Sequence, residues 1–379
     1  MRLGPAFLEE VRRRATEIEQ ARRLPQDIAT RMAADGLFRL CVPKALGGLE
    51  VEAAELLRSI EALAVADGAA AWCLMIGATS GMTAAYLEPE TGAEIYADPA
   101  TVTGGVFAPR GRAEIDGEEF VVSGRWQWAS GSSHCRWLMG GCLVTENGKP
   151  RMLEGGVPEA RMVLFPAEAA TIHDTWYASG LCGTGSNDME VKELAVPRRR
   201  SVSIATDRPF HDGPLYAFPI FGLLALGIAA VGLGLARRAI DELAELAGAK
   251  VPTGARRPLA ERAATQADFA RAEALLASAR AFYFDAVAEA WNRAEADGAI
   301  PVDLRARLRL CATHATETSA RVVDLMYNLG GGTSVYRLSA LQRCFRDVHV
   351  VTQHMMVAPA TYELAGRALL GLPGDMSML

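Results

Sequence analysis

Apolar residues recur at a helical spacing near 3.6 in PAFLEEVRRRATEIEQARRL (5–24), which predicts an amphipathic helix there. PQDIATRMAADGLFRL (25–40) opens with a proline suited to a first helical turn and closes near Gly36. The pattern continues through EAAELLRSIEALAVADGAAAWCLMIGATSGM (52–82), with a break at Asp67-Gly68. Near residue 100 the texture changes to short β-rich runs punctuated by Gly, Pro and Asp-Gly, among them ATVTGGVFAP, HCRWLMGGCLVT and NDMEVKELAVP. AEIDGEEFVVSG (113–124) predicts a hairpin turning at Asp116-Gly117. Long helical patterns return after about 204 and fill 221–248, 256–296 and 301–331, lengths that pack as a bundle of antiparallel neighbours. The plan is α+β: a helical domain over 1–99, a β domain over 100–203 and a helical bundle over 204–379.

Composition narrows the function. The 379 residues are 50% apolar and 22% charged, with a net charge of −6 and no basic block, so nucleic acid and anionic membrane surfaces are disfavoured partners. Seven scattered cysteines with no C-x-x-C pair read as reduced thiols of a cytoplasmic protein, not a disulfide frame or a metal site. The charged, amphipathic N-terminus does not read as a signal peptide. FPIFGLLALGIAAVGLGLA (218–236) nears membrane-spanning length, but its glycines and the amphipathic continuation RRAIDELAELA favour a helix buried in a large assembly. No G-x-G-x-x-G stands between a strand and a helix, so a nicotinamide site is not expected.

Four motifs carry candidate chemistry: GGVFAPRGRA (104–113), GRWQWASGSSHCRW (124–137), DTWYASGLCGTGSND (174–188) and YNLGGGTSVYRLSALQRCFRDVHVVTQH (327–354). With the helical–β–helical plan they resemble the acyl-CoA dehydrogenase superfamily, and within it the flavin-dependent monooxygenase branch. The resemblance implies an N-terminal helical domain, a central β-barrel or sandwich and a C-terminal four-helix bundle. It implies a flavin edge along the backbone of Val106, Phe107 and Ala108, with Trp128 on the flavin face and the Ser130 hydroxyl near flavin N5. Gly331, Gly332, Thr333 and Ser334 are then expected at the phosphate or adenosine part of a flavin, often a neighbouring subunit's, with Arg256 and Gln266 as weaker candidates. Cys182 stands where the family usually has an arginine.

The dehydrogenases of this superfamily use a glutamate base whose place here is Met355, and a thioether accepts no proton. His354 falls where monooxygenase members place a histidine beside the flavin. There an imidazole with a pKa near working pH would handle the substrate proton, around a C4a-hydroperoxide. Trp72, Met75, Ser80, Trp176 and Met355 are the expected substrate pocket, His349 is expected to be structural, and His134 reads as a turn or surface histidine. The implied protein is the oxygenase component of a two-component system, given reduced FMN or FADH2 by a separate reductase, assembled as a homotetramer and oxygenating an aromatic or heteroatom-bearing small molecule. A dehydrogenase or oxidase with a displaced base, or a ligand-binding relative without chemistry, are the rival readings.

Overall fold

The structure is a computed structural model that describes residues 3–376 and 378–379. Six helices come first: α1 (Pro5–Arg13), α2 (Ala15–Ala21), α3 (Gln26–Ala34), α4 (Ala53–Ala66), α5 (Gly68–Ser80) and α6 (Pro89–Ile95). The break between α4 and α5 lies at Asp67, whose extended backbone ends one helix while its carboxylate accepts the Ala70 N–H at 2.9 Å and caps the next.

Eight strands follow: β1 (Thr103–Asp116), β2 (Glu119–Ala129), β3 (Trp137–Glu146), β4 (Lys149–Pro150), β5 (Ala160–Pro166), β6 (Thr171–His173), β7 (Asn187–Pro197) and β8 (Ser201–Val202). They form one sheet in the order β6-β7-β2-β1-β3-β5-β8, with β4 paired to β3. The expected hairpin is present: Asp116 pairs with Glu119 across a turn that contains Gly117 at φ 58°. Residues from β1, β2, β3, β5 and β7 share one apolar cluster, so the sheet curls over its own core. At its centre the Trp126 indole is fully buried and donates to the Gly141 carbonyl at 2.7 Å.

Five helices complete the chain: α7 (Ile220–Ala249), α8 (Ala263–Asp297), α9 (Val302–Gly330), α10 (Ala340–Val351) and α11 (Ala360–Leu369). Helix α7 is the apolar run, and 89% of its most apolar window is buried inside the fold, so its hydropathy serves packing. Its glycines permit close approach. A Cβ on Gly234 would stand 2.4 Å from the Ala64 Cβ, and one on Gly227 would stand 2.6 Å from the Met75 side chain. Overpacking of this kind costs about 1–3 kcal/mol per position. The N-terminal helices, α7 and the helices around it therefore share one continuous core.

Candidate active site

The site is built where the sheet meets α5 and α10. Paired residues of β1 stop at Val106 and resume at Gly111 against β3, and pairing with β2 begins only at Arg112. Phe107 and Ala108 therefore lie in a stretch without a ladder partner, which leaves backbone polar groups along an open edge. The glycines of this motif answer internal needs. Cβ atoms on Gly104 and Gly111 would meet Cys135 Sγ at 2.8 Å and the Trp126 ring at 2.3 Å. Strand alternation would put Trp128 on the same face as Trp126. Instead Trp128 adopts φ 67°, a strained left-handed conformation for a bulky side chain, and its indole stands 63% exposed.

Ser130 follows immediately, 6% exposed. Its hydroxyl accepts from Trp72 Nε1 at 3.1 Å and lies 2.7 Å from Ser186 Oγ, which lies 2.6 Å from Thr184 Oγ1. Thr184 Oγ1 in turn donates to the Leu181 carbonyl at 2.9 Å. Thr184 and Ser186 belong to the Gly-rich loop, and their GTGS spacing was legible, but nothing local showed that they meet Ser130. Trp176 closes the same loop, its Nε1 donating to the Leu181 carbonyl at 3.2 Å.

Helix α10 clamps this loop. Asp347, buried, accepts the Leu181 N–H at 2.6 Å, and Arg346 donates to the Ser179 carbonyl at 2.7 Å. Gly180 has no side chain because a Cβ would stand 2.3 Å from the Arg346 carbonyl oxygen. Burial, with the neighbouring Asp67 charge, lifts the Asp347 carboxyl to about 7. Arg343 and Arg346 both pair with Glu19 of α2, which ties α10 to the N-terminal helices.

His354 caps the short helical turn Met355–Val357 beyond α10: its Nδ1 accepts the Met356 N–H at 3.2 Å. The carbonyl of the same Met356 accepts from buried Arg309 at 2.9 Å. The imidazole lies 5.9 Å from the Trp72 ring, centroid to centroid. Burial, aided by the Arg309 charge, lowers the His354 pKa to about 4. The expectation of an imidazole titrating near working pH is therefore corrected: the ring is neutral, and with Nδ1 occupied as an acceptor its proton sits on Nε2.

Other expected residues fall differently. Met75 and Ser80 are 0% and 2% exposed, so neither lines a space that admits even water. Helix α5 is buried on nearly every side, and Met75 is spent against Gly227. Met355 is 67% exposed. The Ser334 hydroxyl donates to the Tyr327 carbonyl at 2.8 Å and closes α9, which leaves it no free proton for a phosphate. Gly331 and Gly332 are exposed and Thr333 is half-buried at the end of α9. Arg256 and Gln266 are exposed at the start of the α8 region, where Gln266 donates to the Ala260 carbonyl. His349 pairs with Asp324 at 2.9 Å, as expected of a structural group. His134 is no surface histidine: it stacks on Phe38 at 5.3 Å and burial lowers its pKa to about 4.

An exposed indole, an unpaired backbone edge and a buried hydroxyl with a lone pair to spare fit a planar heteroaromatic ring bearing polar edge atoms. Residues 6–90 match the acyl-CoA dehydrogenase N-terminal domain family, and residues 226–359 match the acyl-CoA dehydrogenase C-terminal domain family. Indole-3-acetate monooxygenase of Pseudomonas putida is 37% identical over 98% of this chain and 95% of its own length. This chain belongs to the flavin-dependent monooxygenases of the acyl-CoA dehydrogenase superfamily. The HsaA monooxygenase of M. tuberculosis superposes on this monooxygenase with a TM-score of 0.88 at 28% identity, covering 98% of this chain and 97% of its own. XiaF from Streptomyces sp., solved with FADH2 and glycerol, has the same fold at a TM-score of 0.89 and 22% identity, with 97% and 94% covered. The family places the enzyme among oxygenases, and the dehydrogenase and non-catalytic readings are set aside. Met355, which the resemblance equates with the dehydrogenase base, is a thioether, and Glu363, the carboxylate further along the chain, is exposed on α11.

Proposed function

We propose that this monooxygenase receives reduced FMN or FADH2 from a separate flavin reductase in the cytoplasm and oxygenates an aromatic small molecule, with indole-3-acetate as the first candidate. Reduced flavin, when bound, supplies the two electrons with which O2 is divided between product and water. Phe107 and Ala108 would hold the flavin's polar edge through their unpaired backbone, with Val106 as the last ladder-paired residue before them, Trp128 against the flavin face and Ser130 at its N5.

One observation carries this reading. The Trp72 indole stands between the two halves of the site, its N–H on Ser130 and its ring beside His354. The cofactor-facing hydroxyl and the substrate-facing imidazole therefore share one rigid spacer. Trp72 gives an aromatic substrate a flat wall, and His354 offers Nε2–H as a donor to the substrate's oxygen or nitrogen. This differs from base catalysis: the imidazole orients the substrate and stabilises negative charge as it develops.

Support for the substrate class comes from the activity named for the P. putida relative and from the Trp72 indole beside His354. We further propose a homotetramer in which Gly331, Gly332 and Thr333, with Arg256 and Gln266, reach the flavin of another subunit. The exposed positions of Gly331, Gly332, Arg256 and Gln266 support that arrangement.

The test supplies the protein with chemically reduced FMN or FAD, indole-3-acetate and isotopically heavy O2, and analyses products by mass spectrometry. The expected result is one heavy oxygen atom in the product. Flavin oxidation at the protein-free rate, with no oxygenated product from indole-3-acetate or simple phenols, overturns the proposal.

A further inference from the structure

The hydrogen bonds around Ser130 have a direction that can be read from their two ends. Trp72 Nε1 is a donor only, and the Leu181 carbonyl is an acceptor only. Between them lie three hydroxyls, each with one proton. The Thr184 hydroxyl is in place to donate to the Leu181 carbonyl, which also accepts the Thr184 N–H and Trp176 Nε1; with that proton so placed, Ser186 donates to Thr184. Ser186 then has none left, so Ser130 must donate to Ser186. Ser130 accepts from Trp72 with one lone pair. What remains free on Ser130 is a single lone pair and no proton. All four side chains are 7% exposed or less, so water does not scramble the order.

Nearby backbone donors are spoken for as well. The Ser130 N–H donates to the Trp128 carbonyl at 2.8 Å, and the Gly131 N–H donates to the Thr184 carbonyl at 2.9 Å. The Leu181 N–H that ends the chain is held by Asp347 at 2.6 Å.

We propose that the directed chain Trp72, Ser130, Ser186, Thr184, Leu181 fixes Ser130 as a hydrogen-bond acceptor and so makes the site select reduced over oxidised flavin, with Ser186 and Thr184 as positioning residues. This inference rests on the flavin reading above, in which N5 stands at Ser130. Reduced flavin carries a proton on N5 and can donate to the free lone pair of Ser130. Oxidised flavin has a lone pair on N5 and faces another lone pair, with no donor at hand. A mismatch of this kind leaves a buried polar atom unpaired and weakens binding of the oxidised form. An enzyme that takes up reduced flavin and must release the oxidised form gains turnover from that difference.

The experiment titrates the full-length parent with oxidised FMN and FAD, and under anaerobic conditions with the same flavins chemically reduced. The quantity read is the ratio of the two dissociation constants. The parent is expected to bind reduced flavin at least tenfold tighter. In Ser186→Ala the Ser130 proton loses its acceptor and turns to the flavin, so the ratio falls tenfold or more. A tenfold fall corresponds to about 30 mV in the two-electron potential of the bound flavin. Thr184→Val frees the Ser186 proton for Ser130 and is expected to move the ratio the same way, which covers a failure of either variant to fold. Trp72→Phe leaves the proton order intact and should hold the ratio within about threefold of the parent. A parent that prefers reduced flavin while both hydroxyl variants keep its ratio overturns the directed chain alone. A parent that binds neither flavin overturns the flavin reading and this inference together.

Discussion

At the scale of single residues, His354 decides what kind of chemistry the protein can assist. The resemblance expects it beside a flavin and the structure sets it beside Trp72, but its protonation was not legible. That depends on Met356 folding back to fill Nδ1 and on Arg309 reaching across from α9, 45 positions earlier in the chain. The consequence is testable. His354→Ala should depress product formation by about 10²-fold with flavin binding nearly unchanged, the scale of one lost donor in a preorganised site. His354→Gln, which can still donate, should recover much of that loss; a base could not be replaced so. With its pKa lowered from 6.5 to about 4, the ring is uncharged across pH 5 to 8. Product formation should therefore show no limb near 6.5 that disappears in His354→Gln. Such a limb, or a Gln variant as slow as Ala, would return the histidine to the role of base. Trp128 shows the opposite kind of illegibility: its motif was plain, but the backbone reversal that exposes the indole, φ 67°, is invisible in a period-two pattern.

Among the elements, the hairpin, the capped α5 and the long bundle helices were readable, because each is fixed by local periodicity or a local turn residue. The contact between α10 and the 174–188 loop was not, since Asp347 and Arg346 join residues 166 and 167 positions apart. Asp347 also gives that contact a pH dependence. Its carboxyl is raised from 3.8 to about 7, so the native state favours its protonated form. Its contribution to stability is present below about 3.8 and is lost as pH rises through 7. Asp347→Asn keeps an acceptor for the Leu181 N–H and removes the ionisation. Relative to the parent, its melting temperature should rise by roughly 2 °C or more between pH 5 and pH 8, followed by scanning calorimetry. Parallel curves for the two proteins would show that Asp347 does not titrate in this range. The Met75 expectation failed at this scale too: a helix buried on one side would have offered it to a pocket, whereas every residue of α5 except Ile76 is buried.

For the molecule as a whole, the order of helical domain, sheet and helical bundle was legible because the change from helical to alternating texture is abrupt. Assembly is not written so openly. Val335, Tyr336 and Leu338 stand 63%, 69% and 88% exposed beside Gly331 and Gly332. An apolar patch of this kind is expected to be covered by a second copy. Tyr336→Lys with Leu338→Lys should therefore lower the assembled mass measured by sedimentation and weaken flavin binding in parallel. An unchanged mass would leave that face as ordinary surface.

Glu19 of α2 meets Arg343 and Arg346 of α10, so the ledge that holds Leu181 joins residues 324 and 327 positions apart. Both α2 and α10 must have been synthesised before that ledge can close. A chain cut before α10 would therefore leave the 174–188 loop without the clamp that Asp347 and Arg346 supply.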